Sequence, residues 1–221
     1  MPGTLQNAYD LLYSALGPQA WWPGDSPFEV MVGAILVQNT SWRNVARTID
    51  LLKEAGLLDP SRLYAAPVAE LEELLRPVGY FRIKTKRLRN MLRLIVEDFG
   101  GSVERLLELD TETLRETLLA VSGVGPETAD SIVLYAAHKP SFVVDTYTHR
   151  IFARHGWIDY GAGYYEIKDY CESELPRDVP LYNEFHALLV HVGHHWCKRV
   201  PRCTECPLQP LLPETGIAEP L

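Results

Sequence analysis

Residues 121–137 read VSGVGPETADSIVLYAA, and the chain is best understood outward from them. One apolar helical pattern ends at Val121, and Gly123 and Gly125 allow a tight turn with close backbone approach. Pro126 suits the first position of the following helix, where its missing N–H costs nothing. Such a turn presents backbone amides and a helix N-terminus to solvent, a ready-made site for phosphate oxygens. A helix–turn–helix hairpin is therefore predicted, with Gly123, Val124 and Gly125 as its backbone-gripping residues. About one helix length further on comes PSFVVDTYTHRIFARHG, beginning at Pro140. There Asp145 follows an apolar run and opens a new helix, the position of an N-cap. A cap holds its carboxylate rigidly at the helix entrance, facing whatever lies in front.

The same helical spacing of apolar residues recurs over Phe28 to Val37, Asn44 to Leu52, Val68 to Leu75, Lys86 to Val96 and Thr111 to Val121. Further helices are predicted near Thr146, over Tyr164 to Leu175 and over Asn183 to His195. Punctuation falls at Gly56, Pro60, Pro67, Pro77-Val78-Gly79 and Gly100-Gly101. Ser141 to Val144 is strand-like but too short and isolated to build a sheet. An all-α fold is expected, without internal repeats. The N-terminal MPGTLQNAYDLLYSAL lacks a basic region ahead of its apolar residues, so it reads as an amphipathic helix rather than a signal peptide. No stretch approaches the roughly 20 apolar residues of a membrane span. A cytoplasmic monomer is expected, nucleoid-associated in a prokaryote.

The formal net charge of −8 argues against tight non-specific binding to a polyanion. The distribution of charge matters more than its sum. RIKTKRLRNMLRLIV, from Arg82 to Val96, carries six cations and no carboxylate, and Lys198, Arg199 and Arg202 form a second basic group. Such runs are often only solvated helix faces. Three of the four cysteines, Cys197, Cys203 and Cys206, crowd near the C-terminus, whereas Cys171 stands apart. In a reducing compartment that clustering suggests metal ligation before disulfides.

The Gly-Val-Gly turn followed by Val-Asp-Thr and Arg-Ile-Phe resembles the helix-hairpin-helix and catalytic aspartate of endonuclease III and its DNA glycosylase relatives. The resemblance implies a two-lobed fold: a six-helix lobe over 24–136, and a second lobe from 1–23 plus 137–221. Double-stranded DNA carrying a damaged base would cross the cleft between them, with Asp145 as the catalytic residue. It implies that Gln38, in AILVQNT, fills the gap left by an extruded base, and that Tyr80, in VGYFRIK, wedges into the opposite strand. Arg82, Lys84, Lys198 and Arg199 would contact the DNA backbone.

Two departures from endonuclease III bear on the reaction. Lyase-competent relatives place a lysine two residues after the second hairpin glycine, where this chain has Glu127. A monofunctional glycosylase without Schiff-base chemistry is expected. Trp21-Trp22-Pro23, with Trp42, resembles the aromatic pocket of the 3-methyladenine glycosylase branch, although core packing would also explain these rings. A cationic methylated purine suits an aromatic face and is a good leaving group. Where the alkylpurine-specific relatives hold a pocket lysine, this chain reads His191-Val192-Gly193-His194-His195. Two alternatives stay open: an endonuclease III-like glycosylase for damaged or deaminated pyrimidines with weak or no lyase activity, and a non-catalytic damage-binding or redox-sensing protein.

Cys197, Cys203 and Cys206 resemble the loop that holds a [4Fe–4S] cluster in many relatives, but the fourth cysteine would fall at Leu212. The resemblance implies a cluster completed by Cys171 or another donor. Zinc held by the three thiolates with His194 or His195 is the second reading, and a metal-free loop the third.

Overall fold

The computed structural model describes residues 4–218. Among them the secondary structure is helical throughout, with twelve α-helices and no strand. The all-α expectation holds. Helix α1 (Thr4–Leu16) is followed by α2 (Pro27–Leu36), α3 (Trp42–Glu54), α4 (Pro60–Ala65), α5 (Val68–Leu74) and α6 (Phe81–Arg93). Then come α7 (Val103–Leu107), α8 (Thr111–Leu119) and α9 (Pro126–Ser131). Widened turns extend α6 through Leu94–Asp98 and α9 through Ile132–Ala136. The last three helices are α10 (Thr146–Arg154), α11 (Tyr164–Glu174) and α12 (Val179–His195). The chain divides into two compact units, Trp22–Lys139 and the remainder, Met1–Trp21 with Pro140–Leu221.

Side-chain caps set many of the helix starts. Ser26 accepts from the Glu29 amide, Asp59 from Arg62, Asp110 from Glu112 and Thr113, and Asp178 from Leu181. Pro60 therefore begins a helix behind its Asp59 cap instead of marking a break. The short α4 and α7 carry too few apolar repeats to announce themselves. Helix α12 begins at Val179, one turn ahead of the expected Asn183, because the Asp178 cap and Pro180 start it there.

In the central unit α2 is the core helix, buried from Phe28 to Leu36, and packs against α3, α6 and the extension of α9. Helix α6 starts five residues before the expected Lys86, since its first turn alternates Phe81 and Ile83 with Arg82 and Lys84 and shows no helical apolar spacing. It is entered through Gly79 (φ 65°) and Tyr80 (φ 44°), both left-handed. Lys84, expected to meet DNA phosphates, is instead 2% exposed and donates from Nζ to the Val78 carbonyl at 2.7 Å. Its role is to close the entry turn, and it is not part of an exposed cationic surface.

Burial, with Arg87 nearby, lowers the Lys84 pKa to about 8. The folded chain thus releases this proton more readily than the unfolded one, and stability should rise from about pH 8 toward the ordinary lysine range. Thermal melts should show wild-type protein gaining stability between about pH 8 and 10 relative to Lys84→Met, which fills the same space without a charge. Parallel pH profiles for the two proteins would refute this.

Candidate active site

In the unit containing the C-terminal third, the segment 140–144 runs irregular, with Ser141 to Val144 buried, into α10. Glu172 of α11 accepts from the Phe142 amide at 2.8 Å, and Lys168 donates to Ser141 Oγ, the Phe142 carbonyl and Glu172. This anchorage delivers Asp145 to the mouth of α10 as its N-cap. Oδ1 of Asp145 accepts both the Thr148 amide at 2.7 Å and the Thr148 hydroxyl at 2.9 Å. Oδ2 lies 3.8 Å from Nε2 of His186, a deeply buried residue of α12. Burial lowers the His186 pKa, against the opposing pull of Asp145, which keeps the ring neutral near physiological pH. The carboxylate is therefore fixed by one oxygen, while the other faces a neutral imidazole beyond hydrogen-bond reach. Sequence reasoning passed over His186, which sits amid the apolar face of a helix with nothing to set it apart.

Gly193 permits the close crossing of α10 and α12. A Cβ there would lie 2.3 Å from Cδ1 and 2.8 Å from Cβ of Tyr147, two residues beyond Asp145. The Tyr147 ring also rests 4.8 Å from His194 and carries Arg150 over its face at 5.0 Å.

In the other unit the hairpin joins α8 to α9. Gly123 adopts φ 102°, and a Cβ there would come within 2.3 Å of Arg87 Cγ. Both the left-handed backbone and the arginine stem demand glycine. The Val124 amide is already used by the Val121 carbonyl at 3.0 Å, which takes it out of the predicted gripping set. The amides of Gly123 and Gly125 make no hydrogen bond among the described residues. Glu127, in the slot of the lyase lysine, is exposed.

Gln38 is tied to this hairpin. Its Nε2 donates to the Gly123 carbonyl at 3.2 Å and to Thr128 Oγ1 at 3.0 Å, and Arg87 donates to its Oε1. Tyr80 projects from its left-handed entry turn with 72% exposure. Its backbone sits in the left-handed region that non-glycine residues rarely adopt. Arg82 is exposed beside it, 3.7 Å from Glu72.

Of the four aromatic-tract residues, Trp22, Pro23 and Trp42 lie in this unit. Trp22 and Trp42 meet edge to face with centroids 5.0 Å apart, and Trp22 also lies 5.2 Å from Tyr135. A Cβ on Gly33 would sit 3.3 Å from Trp42 and 3.4 Å from Trp22. Pro23 and Trp42 border an open groove with Asp25, Glu29 and Asp50. Lys53 bridges Asp25 at 2.7 Å and Glu29 at 2.9 Å. Trp21 belongs to the other unit.

Cys197, Cys203 and Cys206 line one cavity, together with Arg154, His155 and Leu212. Neither Cys171 nor His194, the two residues expected as fourth ligand, lines it. Cys171 is sealed within α11, where burial pushes its thiol pKa up, and His194 is exposed against Tyr147. Nη1 of Arg154 donates to Cys197 Sγ at 3.4 Å. Among the described residues no three His, Cys, Asp or Glu side chains converge closely enough to hold a single ion. Zinc requires all its ligand atoms within about 2.3 Å of one centre. Three thiols that share a cavity without converging suit a polynuclear group better than a lone ion. The loop is further held by Arg150, which donates to the Cys197 carbonyl at 2.7 Å, and by Arg154 through the carbonyls of Lys198 and Arg199. Lys198 and Arg199 themselves point outward, exposed.

Residues 32–177 match the model of the HhH-GPD superfamily of base excision DNA repair proteins. The chain belongs to this superfamily. It is 46% identical over 202 residues to a provisionally named DNA repair glycosylase of Methanocaldococcus jannaschii, covering 91% of this chain and 92% of that one. Endonuclease III of Bacillus subtilis is 31% identical over 192 residues, covering 86% and 82%. Among solved structures, a non-covalent endonuclease III–DNA complex superposes with a TM-score of 0.82 at 24% identity, covering 95% and 94%. The Helicobacter pylori 3-methyladenine DNA glycosylase bound to 1,N6-ethenoadenine gives 0.71 at 29%, covering 85% and 93%. No helix among the described residues is long and apolar enough to cross a membrane.

The Gly193 crossing is the tightest support beneath the Asp145 cap. Gly193→Ala should displace α10 or α12 and destabilise the fold by about 1–3 kcal/mol, read as a lower denaturant midpoint. An unchanged midpoint would mean that the Tyr147 ring yields freely.

Proposed function

We propose that this HhH-GPD protein is a monofunctional DNA glycosylase that hydrolyses the N-glycosidic bond of flipped-out alkylated purines, 3-methyladenine among them. The Asp145 carboxylate carries the reading. Its Oδ1 is held by two donors from Thr148, and its Oδ2 is left open beside a neutral His186. Breaking the base–sugar bond builds positive charge on the deoxyribose, and a fixed anion already in place stabilises that charge without reorganising. The same oxygen can orient and deprotonate the attacking water. His186, kept neutral, adds no cation that would cancel this anion.

The target base must leave the stack before any of this occurs. The exposed Tyr80 on its left-handed turn suits a wedge, and Gln38 suits the vacated gap. The free amides of Gly123 and Gly125 suit a phosphate, as do the exposed Arg82, Lys198 and Arg199. The thiol cavity suits a [4Fe–4S] cluster held by Cys197, Cys203 and Cys206, whose chemistry there is structural, fixing the loop that bears Lys198 and Arg199. The alkylpurine reading draws support from the Trp22–Trp42 pair, since an aromatic face favours a cationic base. The Helicobacter pylori relative supports the same substrate class. The absence of lyase activity draws support from Glu127 and from Lys84, whose amine is buried and committed to Val78. A second reading, a pyrimidine-directed endonuclease III-like enzyme, is favoured by the relation to the Bacillus subtilis protein.

A panel of duplexes bearing single lesions, assayed with and without alkaline cleavage, separates the readings. Asp145→Asn should lower base release by at least about 100-fold, as expected for losing a positioned charge in a catalytic site. Trp42→Ala should depress release of 3-methyladenine more than release of any damaged pyrimidine. Borohydride should trap no covalent adduct on abasic DNA. Preferred pyrimidine excision with a trapped adduct would establish the second reading instead.

A further inference from the structure

The cavity lined by the three thiols contains one more metal-ligating side chain, His155, at the C-terminal cap of α10. The residue is 8% exposed. Its Nδ1 lies 2.7 Å from the carbonyl of Ile151, one turn back. A carbonyl only accepts, so Nδ1 carries the proton and Nε2 presents its lone pair. That Nε2 is buried and has no hydrogen-bond partner among the described residues. The Leu208 backbone, two residues beyond Cys206, faces the same ring at the margin of hydrogen-bond geometry. The ring thus borders the cysteine loop.

A buried nitrogen without a partner needs an explanation, and the arrangement matches one in particular. A metal-bound histidine characteristically donates its other ring N–H to a backbone carbonyl, which fixes the tautomer and aims the free nitrogen at the metal. Leu212, at the position expected for a fourth thiolate, lines the same cavity but has no donor atom to offer. We propose that Nε2 of His155 is the fourth protein ligand of a [4Fe–4S] cluster whose other three are Cys197, Cys203 and Cys206. Histidine on iron is established chemistry for iron–sulfur centres, where replacing thiolate by neutral imidazole raises the reduction potential.

The inference rests on the cluster reading given above, and the test separates the failure of one from that of the other. Protein labelled with 15N-histidine and purified anaerobically should contain about four iron and four sulfide per chain. Pulsed electron paramagnetic resonance of its paramagnetic state should show a histidine nitrogen coupled to the cluster. His155→Cys should keep the iron, abolish that coupling and lower the reduction potential. His155→Phe should lose iron while circular dichroism reports an unchanged helix content; if this variant fails to fold, His155→Cys alone decides. A full cluster with no histidine coupling, or coupling that survives in His155→Cys, overturns the ligand assignment and leaves the cluster reading intact. Zinc in place of iron, or no metal in the wild-type protein, overturns both.

Discussion

The double hydrogen bond from Thr148 to a single oxygen of Asp145 is the constraint on which the proposed chemistry depends. A carboxylate in water reorients freely, and a transition state that needs it must bear the cost of holding it still. Here the backbone amide and hydroxyl of one residue hold it in advance, as a by-product of starting a helix. The cap stabilises α10 and aims the anion in the same stroke. Everything else in that unit supports the pose: Lys168 and Glu172 secure the segment before the aspartate, and the Gly193 crossing lets α12 bring His186 beside it.

That dual use explains what the sequence disclosed and what it concealed. Asp145 and the Gly123-Val124-Gly125 turn were legible because local rules govern them: caps, glycine backbones and proline at a first helical position act within a few residues. The helices of α2, α3 and α8 were legible for a similar reason, since burial imprints a period on the chain. His186 and His155 were not. Each matters through a neighbour distant in sequence, and each sits where an apolar helix face would tolerate it in silence. Lys84 misled in the opposite direction. Its place in a run of cations suggested a solvated face, yet the tight entry turn at Gly79 and Tyr80 folds its amine inward onto Val78.

Packing inside one unit accounts for part of the aromatic tract. Trp22 and Trp42 pack edge to face over Gly33 with Tyr135 alongside, and Pro23 borders a groove with Asp25, Glu29 and Asp50. The sequence announces such rings by composition alone, whereas the partner of each ring is set by residues far along the chain.

Gln38 holds the carbonyl of Gly123, the hydroxyl of Thr128 and the guanidinium of Arg87 at once, and this has a thermodynamic consequence. A side chain so engaged cannot enter a duplex without first abandoning three partners, one of them the backbone of the very turn suited to a phosphate. Undamaged, well-stacked DNA would have to compensate that loss in addition to resisting the opening of a base pair. A lesion that has already weakened stacking asks for less. Under the gap-filling role proposed for Gln38, the tether is a threshold that makes intrusion into sound DNA disproportionately unfavourable before any recognition of the base itself begins.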